Sequence, residues 1–429
     1  MKRKIVLSVL LLISIGMYSH VSEVHQYMVS RAYLMLERRY VDAGGNIQDL
    51  QEIKSKIFNS DNSCCYGKNC KEHSLNRGAR REDNEDPIYG LAYGFLTMTH
   101  FWDADNGKSA YVWSGLYPNS YLKSVAYLFA NGGNYTWIVD VNLIRRYYYT
   151  INRSLVYFYN SQGECTRFNQ VWPIGTVDRE VVHYSNYKNV AYEILGRVAH
   201  LLADMSSPPH SHIDSHIELL GDADPYEQEY MANNGRTILN SPEDLDNDDG
   251  FMPFIVNNYS DATVILNLFT FTNQVTGFYP SKDYSGNNQY SGEEILKQKF
   301  TAWGQPLGAN QGDNLQTAKR TYSFCIGQIA TLLYWFGRKT GLLQTQIRDM
   351  KFNDVMMNPT ATLHADNSIT LNPGFEFSGS DLILTTEPVS TFGGRRVYAP
   401  PVQEYTPQTI IIFDSVPQNL PCDTIYTNE

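Results

Sequence analysis

The residues best suited to do chemistry lie in one apolar stretch that contains His200 and Asp204. They are four positions apart, so a helix places both side chains on one face, one turn from each other. The neighbouring residues Ile194, Val198 and Leu202 predict that this helix is buried on most sides. A buried carboxylate beside a buried imidazole is costly unless it is neutralised, as a metal ion would do. The alternative is a hydrogen-bonded pair that only orients a core histidine.

Other imidazoles and carboxylates are candidates for the same site, because zinc accepts both kinds of ligand. His210 follows the Pro208-Pro209 pair, which is expected to end the helix of His200. Taken singly, each candidate has a plainer interpretation, since a buried helical histidine is more commonly a satisfied core residue. The remaining candidates are spread along the chain: His20, His25, Asp83, His100, His216 and Glu227.

The elements that must position these residues are predicted to be mainly helical. No strand signal of comparable strength precedes residue 350, and residues 211–260 are polar and acidic, which predicts mostly loop. Apolar residues at helical spacing predict helices from Ser22 to about Tyr40, over residues 119–160 and 183–205, and from Asn314 to Thr340.

Beyond Met350 the pattern changes to alternation. Apolar residues such as Ile369, Leu371 and Phe377 alternate with polar ones, and Pro373-Gly374 interrupts them. Period two with turn signals predicts a small antiparallel β module. The predicted organisation is a signal peptide over 1–19, a multi-helix catalytic domain over 20–342, a linker over 343–357 and the β module over 358–429.

Composition and charge restrict the possible functions. The chain of 429 residues is 42% hydrophobic and 18% charged, as globular proteins are, and its formal net charge is −11. This acidity argues against a broad nucleic-acid-binding surface, so no stable nucleic-acid partner is expected. A basic start, Lys2-Arg3-Lys4, precedes the apolar residues 5–15 and predicts secretion. Six cysteines fit the oxidising compartment that secretion implies.

Five motifs follow one another along the chain: His25 to Ala32, Gly78 to Asp83, His100 to Gly107, His200 with Asp204 and His210, and Ala318 to Phe336. In this order they resemble the motifs of the zinc-dependent phospholipase C and S1–P1 nuclease superfamily. The third resembles the phospholipase form of its motif, and the fourth has the family's proline before its last histidine. The resemblance covers most of residues 20–341 and implies a multi-helix zinc-dependent enzyme.

The resemblance implies up to three zinc ions. Asp204 would bridge the first two, the second of which His25 and a mature N-terminus at His20 would bind. The first ion would be held by Asp83, His100, His200 and Asp204. The resemblance also suggests that Asp83 is catalytic and accepts or orients the proton of the attacking water. The alternative is that Asp83 is only a ligand.

The third implied ion would be bound by His210, Glu227 and one further ligand. The family's usual histidine four positions before the glutamate is replaced here by Ala223. His216 is our choice for the missing ligand; Asp222 and Asp224 are the alternatives.

The predicted function is that of a secreted zinc-dependent phosphodiester hydrolase, a phospholipase C that acts on phospholipid headgroups. A phosphodiester is an anion, and attack on it builds further negative charge that zinc ions offset. One alternative is an S1/P1-type nuclease or nucleotidase of the same fold, which the short spacing from His20 to His25 favours. Another is a non-catalytic surface-binding protein that keeps zinc for stability. The expected partner is a phospholipid or other phosphodiester. By analogy with phospholipases that carry a C-terminal β domain, the β module could make peripheral membrane contact; the alternative is a spacer or surface-attachment element.

Overall fold

The structure is a computed structural model that describes a helical core and short segments elsewhere. The described residues are 22–63, 73–84, 99–104, 109, 111–112, 115–116, 119–129, 135–136, 150–151, 165–168, 181–184, 187–213, 250–277, 279, 305–306, 314–352, 355–357, 360–364, 369–371, 376–377 and 381–385. The predicted signal peptide, residues 1–19, lies outside them, as do His20, His216 and Glu227.

The described residues are mainly helical, as the sequence predicts. Turns of 3-10 helix cover Ile47–Leu50 and Glu82–Asn84. None of the described helices is long and apolar enough to cross a lipid bilayer. The helices are α1 (Ser22–Asp42), α2 (Gln51–Ser55), α3 (Ser74–Arg81), α4 (Ser120–Phe129), α5 (Tyr187–Asp204), α6 (Pro208–His212), α7 (Pro253–Asn258), α8 (Asp261–Gly277) and α9 (Asn314–Thr340).

Short strands account for the rest of the regular structure among the described residues. The strands are β1 (Tyr111–Val112), β2 (Gly115–Leu116), β3 (Tyr135–Thr136), β4 (Thr150–Ile151), β5 (Cys165–Phe168), β6 (Val181–Tyr184), β7 (Gln305–Pro306), β8 (Met350–Phe352), β9 (Val355–Met357), β10 (Thr360–His364), β11 (Ile369–Leu371), β12 (Glu376–Phe377) and β13 (Asp381–Thr385). Before residue 350, β1 pairs with β2, β3 with β4 and β5 with β6, all antiparallel, and β7 pairs antiparallel with β9.

The predicted helix boundaries are confirmed at the two ends of the helical region and wrong in its middle. Helix α9 spans the predicted Asn314–Thr340, and α1 begins at Ser22. The single helix predicted over 119–160 is wrong, because α4 ends at Phe129 and β3 and β4 follow. The helix predicted over 183–205 begins only at Tyr187, since β6 pairs with β5. The predicted loop over 211–260 contains α7.

Pro208 and Pro209 begin a helix instead of ending one. Helix α5 ends at Asp204, and the two prolines occupy the first positions of α6. A proline is tolerated there because the first N–H groups of a helix have no intrahelical acceptor. His210 therefore lies on a helix of its own and not just beyond the helix of His200.

The helices pack around α5. Helices α3 and α4 contact α5, and α1 contacts both α3 and α9. Apolar side chains from all of them are fully buried, among them Val29, Leu75, Leu195 and Trp335. Burial of such a side chain stabilises the fold by about 1.5–3 kcal/mol.

Helices α3 and α5 cross at two glycines. A Cβ added at Gly78 would lie 2.0 Å from the carbonyl oxygen of Glu193. A Cβ added at Gly196 would lie 2.0 Å from the carbonyl oxygen of Leu75. Any side chain at either position would force the two backbones apart. The glycines thus let the end of α3 reach the helix that carries His200.

The chain stays on the helical core after α9 ends. The Tyr40 hydroxyl accepts from the backbone N–H groups of Gln344 and Thr345, both at 3.0 Å. Arg39 donates to the carbonyl oxygen of Asp349 at 2.6 Å, and the N–H of Ile347 donates to a tyrosine hydroxyl at 2.8 Å. The first residues of the predicted linker are therefore held on α1 and α9.

The strands beyond residue 350 correct the predicted antiparallel arrangement. Strand β8 pairs with β11, β9 with β12 and β10 with β13, and all three pairs are parallel. The alternation of apolar and polar residues indicates which face of a strand is buried. It does not indicate whether the neighbouring strand runs parallel or antiparallel. The turn that the sequence predicts at Pro373-Gly374 would lie between β11 and β12, which pair with earlier strands and not with each other. Such pairing needs a connection of roughly a dozen residues or more, which a tight turn cannot provide.

Candidate metal centre

Five buried side chains from four segments of the chain converge in the helical core, and we call them the ligand cluster. Their ligand atoms form two groups, each spanning no more than 4.8 Å: His25 with Asp83 and His200, and His100 with His200 and Asp204. His200 belongs to both groups, so the cluster is continuous. Helix α1 supplies His25, the turn after α3 supplies Asp83, the segment 99–104 supplies His100, and α5 supplies His200 and Asp204.

The distances among four of these residues fit a single metal ion. The Nε2 atom of His200 lies 3.2 Å from Oδ1 of Asp83 and 3.4 Å from Oδ2 of Asp204. The Nδ1 atom of His100 lies 2.8 Å from the same oxygen of Asp204 and 3.7 Å from Oδ1 of Asp83. Tetrahedral coordination with bonds of ~2.0–2.1 Å places neighbouring ligand atoms about 3.3 Å apart. These buried groups could therefore hold a metal ion.

Asp204 presents its two oxygens to different imidazoles. Its Oδ2 faces His100 and His200, whereas its Oδ1 lies 3.6 Å from Nε2 of His25. The rings of His25 and His200 stack, with centroids 3.6 Å apart and an angle of 19° between the planes. Two imidazolium cations at that distance would repel each other, which favours a neutral form for one of the rings. Asp204 is thus placed to bridge two coordination positions.

The backbone of α3 fixes the orientation of the His200 ring. Its Nδ1 lies 2.5 Å from the carbonyl oxygen of Ala79, and because a carbonyl can only accept, Nδ1 is the donor. The lone pair of the neutral ring is then on Nε2, which faces two carboxylates. That nitrogen is buried. A carbonyl partner of this kind is typical of histidines that bind metals.

The electrostatics of the cluster favour positive charge. Burial by itself would lower the pKa of His200, but the charges of Asp83 and Asp204 raise it well above its usual range. Burial would raise the pKa of Asp204, but His200 and His100 hold it well below its usual range. The site therefore binds either protons or a metal cation, and the two compete.

His210 lies close to the cluster without being part of either group. It is buried, its ring stacks on that of Phe101 at 4.3 Å, and its Nδ1 lies 3.2 Å from the carbonyl oxygen of His100. The N–H of Trp102 donates in return to the carbonyl oxygen of His210 at 3.1 Å. The other predicted ligands of the second and third ions, His20, His216 and Glu227, lie outside the described residues.

A buried network of charged and polar side chains borders the ligand cluster, and we call it the charge cluster. Glu82 lies 2.6 Å from Nζ of Lys123 and 2.7 Å from the guanidinium of Arg197, with all three side chains fully buried. Tyr127 also donates to Glu82 at 2.7 Å, and Glu193 accepts from Arg197 at 3.2 Å. Burial would raise the pKa of Glu82, yet the charges of Lys123 and Arg197 lower it to about 2. Glu82 is therefore a carboxylate at neutral pH.

The segment that carries His100 is held from α8. The side-chain oxygen of Asn273 accepts from the N–H of Ala104 at 3.0 Å, and its amide nitrogen donates to the carbonyl oxygen of Trp102. The Trp102 ring stacks on Tyr121 with centroids 5.5 Å apart. These contacts fix a short irregular segment whose backbone has no regular ladder to hold it.

The sequence reasoning missed the charge cluster, Ala79 and Asn273. A signal existed for Lys123, which is the one charged residue of α4, and for Arg197, which follows Glu193 by one turn in a largely apolar stretch. A charge in that position is buried only when it has a partner. No signal identified the carbonyl of Ala79, because its contact with His200 depends on how two helices cross.

The chain matches no family model, no curated protein and no solved structure. What the cluster can do is therefore argued from its own chemistry. Three imidazoles and two carboxylates suit a borderline transition-metal ion, whereas calcium and magnesium favour sites built from oxygen ligands.

Proposed function

We propose that the chain is a secreted zinc-dependent phosphodiester hydrolase of the phospholipase C type. The single observation that carries the proposal is the convergence of three imidazoles and two carboxylates from four segments of the chain into one buried cluster. The order of the sequence motifs supports the phospholipase branch, through the stretch His100-Phe101-Trp102-Asp103.

Zinc is the metal that best suits this set of ligands. It accepts neutral imidazole and carboxylate together in a closely spaced, tetrahedral arrangement. When bound, a zinc ion supplies Lewis-acid chemistry, since it makes water easier to ionise and stabilises negative charge on phosphoryl oxygens. The protein itself holds the ligands in position and keeps bulk water away from them.

Asp83 is the residue of the cluster that we assign to the reaction itself. Its Oδ1 lies 3.2 Å from Nε2 of His200 and 3.7 Å from Nδ1 of His100, so its carboxylate adjoins the position where a metal ion would hold the attacking water. Its carboxylate can orient the attacking water or accept its proton. His210, with His20, His216 and Glu227, would complete up to three zinc ions, as the motif resemblance implies.

The test is a comparison of substrates with the purified, zinc-loaded protein. Phosphatidylcholine vesicles, other phospholipids and single-stranded DNA are assayed side by side, with and without a chelator. We expect release of phosphorylated headgroup that the chelator abolishes. Hydrolysis of DNA with no attack on phospholipid would replace the proposal with the nuclease alternative. Stoichiometric zinc with no activity on any of the three would favour the non-catalytic alternative.

The variant Asp83→Asn tests the catalytic assignment. It keeps the shape of the side chain but removes its basicity, so we expect a fall in kcat of about 10²–10⁴. Asp49→Asn is the matched control, because Asp49 accepts a hydrogen bond from Tyr40 outside the cluster. Full activity in Asp83→Asn would leave Asp83 as a ligand at most.

A further inference from the structure

We propose that Lys123 is a positioning residue for the metal centre, which it serves by joining the two chain segments that carry Asp83 and His100. Its Nζ lies 2.6 Å from Oε1 of Glu82 and donates to the hydroxyl of Thr99 at 2.9 Å. Glu82 directly precedes Asp83, and Thr99 directly precedes His100. One buried ammonium thus fixes the backbone next to two ligands. The inference rests on the metal binding that the proposed function requires.

The far side of Glu82 is fixed just as firmly. Its second oxygen accepts from Arg197 and from Tyr127, both at 2.7 Å. Arg197 lies on α5 three positions before His200, which is one turn of the helix. The charge cluster therefore connects the segments of Asp83, His100 and His200 to one another, while none of its members is a ligand in either group.

A lysine suits this role because its ammonium carries three donors that can point to separate partners. Lys123 is 0% exposed and reaches its two partners from α4, a helix that contributes no member of the ligand cluster. Removal of a partner that orients metal ligands typically weakens metal binding about 10–100-fold. Buried positions of this kind are otherwise easily mistaken for purely structural ones.

The sign of the effect separates positioning from simple electrostatics. A nearby positive charge repels a metal cation, so if Lys123 acted only through its charge, its removal would strengthen metal binding. If Lys123 positions the ligands, its removal weakens metal binding and changes the coordination geometry. The two accounts predict opposite shifts in affinity.

The experiment compares Lys123→Met with Arg39→Met in the full chain. Both remove a buried cation, and Arg39 lies fourteen positions from His25 on α1, about 21 Å along the helix. Zinc affinity is measured by competition with a chelating dye, and geometry by the visible absorption of the cobalt(II)-loaded protein. We expect Lys123→Met to bind zinc 10–100-fold more weakly and to show altered cobalt bands. Arg39→Met should lose stability but keep the parental affinity and spectrum.

A milder variant keeps the test decisive if Lys123→Met does not fold. Thr99→Val removes only the hydroxyl that accepts a hydrogen bond from Lys123. We expect it to weaken zinc binding too, but by less than Lys123→Met does. Parental zinc affinity and cobalt bands in the folded variant would overturn the inference, as would tighter zinc binding in Lys123→Met. Absence of zinc and cobalt binding in the parental protein would instead overturn the proposed function.

Discussion

The ligand cluster and the charge cluster are neighbours, and both are buried, yet they balance their charges in different ways. In the charge cluster, Glu82 meets a lysine, an arginine and a tyrosine hydroxyl at 2.6–2.7 Å. In the ligand cluster, two carboxylates meet three imidazoles at 2.8–3.7 Å. The first set is neutralised by the protein itself. The second could hold a metal ion.

This difference shows how a buried polar group can be assigned to stability or to function. A buried charge with full protein partners holds its neighbours in place, and removal of one partner is costly because the other remains buried. Buried ligand atoms that converge at coordination distances are stabilised only when a cation joins them. Metal removal is therefore expected to change the stability of the ligand cluster but not that of the charge cluster.

The largest effect should come from Gly196→Ala, which breaks both clusters at once. The added Cβ would lie 2.0 Å from the carbonyl oxygen of Leu75, so α3 and α5 must separate and carry Asp83 and Glu82 away from α5. We expect a loss of about 3 kcal/mol or more in the free energy of unfolding, together with loss of metal. Urea unfolding and elemental analysis measure the two.

Gly337→Ala is the matched control for this prediction. Its added Cβ would meet the side chain of Leu343 at 2.5 Å, and a side chain can shift where a backbone carbonyl cannot. We expect a change of about 1 kcal/mol or less. Equal effects from the two substitutions would contradict the role assigned to the glycine crossing.

Asp204→Ala should break the ligand cluster alone. Asp204 faces His25, His100 and His200, so its removal takes a carboxylate away from all three imidazoles. We expect loss of stoichiometric metal and of the stability that the metal confers, with the helical content retained. Elemental analysis, circular dichroism and thermal unfolding report these three properties.

The control for Asp204→Ala is His73→Ala. Both ring nitrogens of His73 have protein partners, Asn59 at 2.9 Å and the carbonyl oxygen of Ser55 at 3.1 Å. This variant should keep the parental metal content. If Asp204→Ala kept its full metal content, the ligand cluster would not be the metal centre.

Glu82→Ala should break the charge cluster whether or not metal is present. It leaves Lys123 and Arg197 buried without their shared carboxylate, which costs about 3–5 kcal/mol. The loss should persist in a chelator, whereas Asp204→Ala should cost much less in a chelator than in zinc. Urea unfolding of both variants under both conditions gives the four values. If the loss of stability in Glu82→Ala disappeared in the chelator, the charge cluster would also depend on the metal, and the two clusters would form one metal-dependent unit.

The parts of the fold that the sequence could predict are those decided by local periodicity. The apolar spacing of α9 predicted its limits, Asn314 and Thr340, because a long amphipathic pattern has few other interpretations. Strand direction beyond residue 350 could not be predicted, since alternation is the same in parallel and antiparallel pairs. The break after Phe129 was missed because apolar, tyrosine-rich sequence suits a strand as well as a helix.

The candidate site likewise has a part that the sequence predicts and a part that it does not. The pairing of His200 with Asp204 follows from helical spacing, and the structure places both in one cluster with His25, Asp83 and His100. The partners that orient them could not be predicted, because the carbonyl of Ala79 and the ammonium of Lys123 reach the site only through the packing of helices. The local sequence pattern identifies which residues can be ligands, whereas the tertiary packing determines how their side chains are oriented.

The smallest effect we predict is a release of protons when zinc binds. Burial alone would lower the pKa of His200, but the charges of Asp83 and Asp204 raise it well above its usual range, so the metal-free cluster favours the protonated imidazole. Zinc requires the unprotonated nitrogen, so binding must displace that proton, and zinc affinity must rise as the pH rises. Calorimetric titration with zinc at neutral pH, in two buffers of different ionisation enthalpy, measures the number of protons released. We expect about one proton or more per chain for the parental protein and for His73→Ala. Equal heats in the two buffers would mean that the imidazole is already neutral, and that the carboxylates are balanced by something other than a proton before zinc arrives.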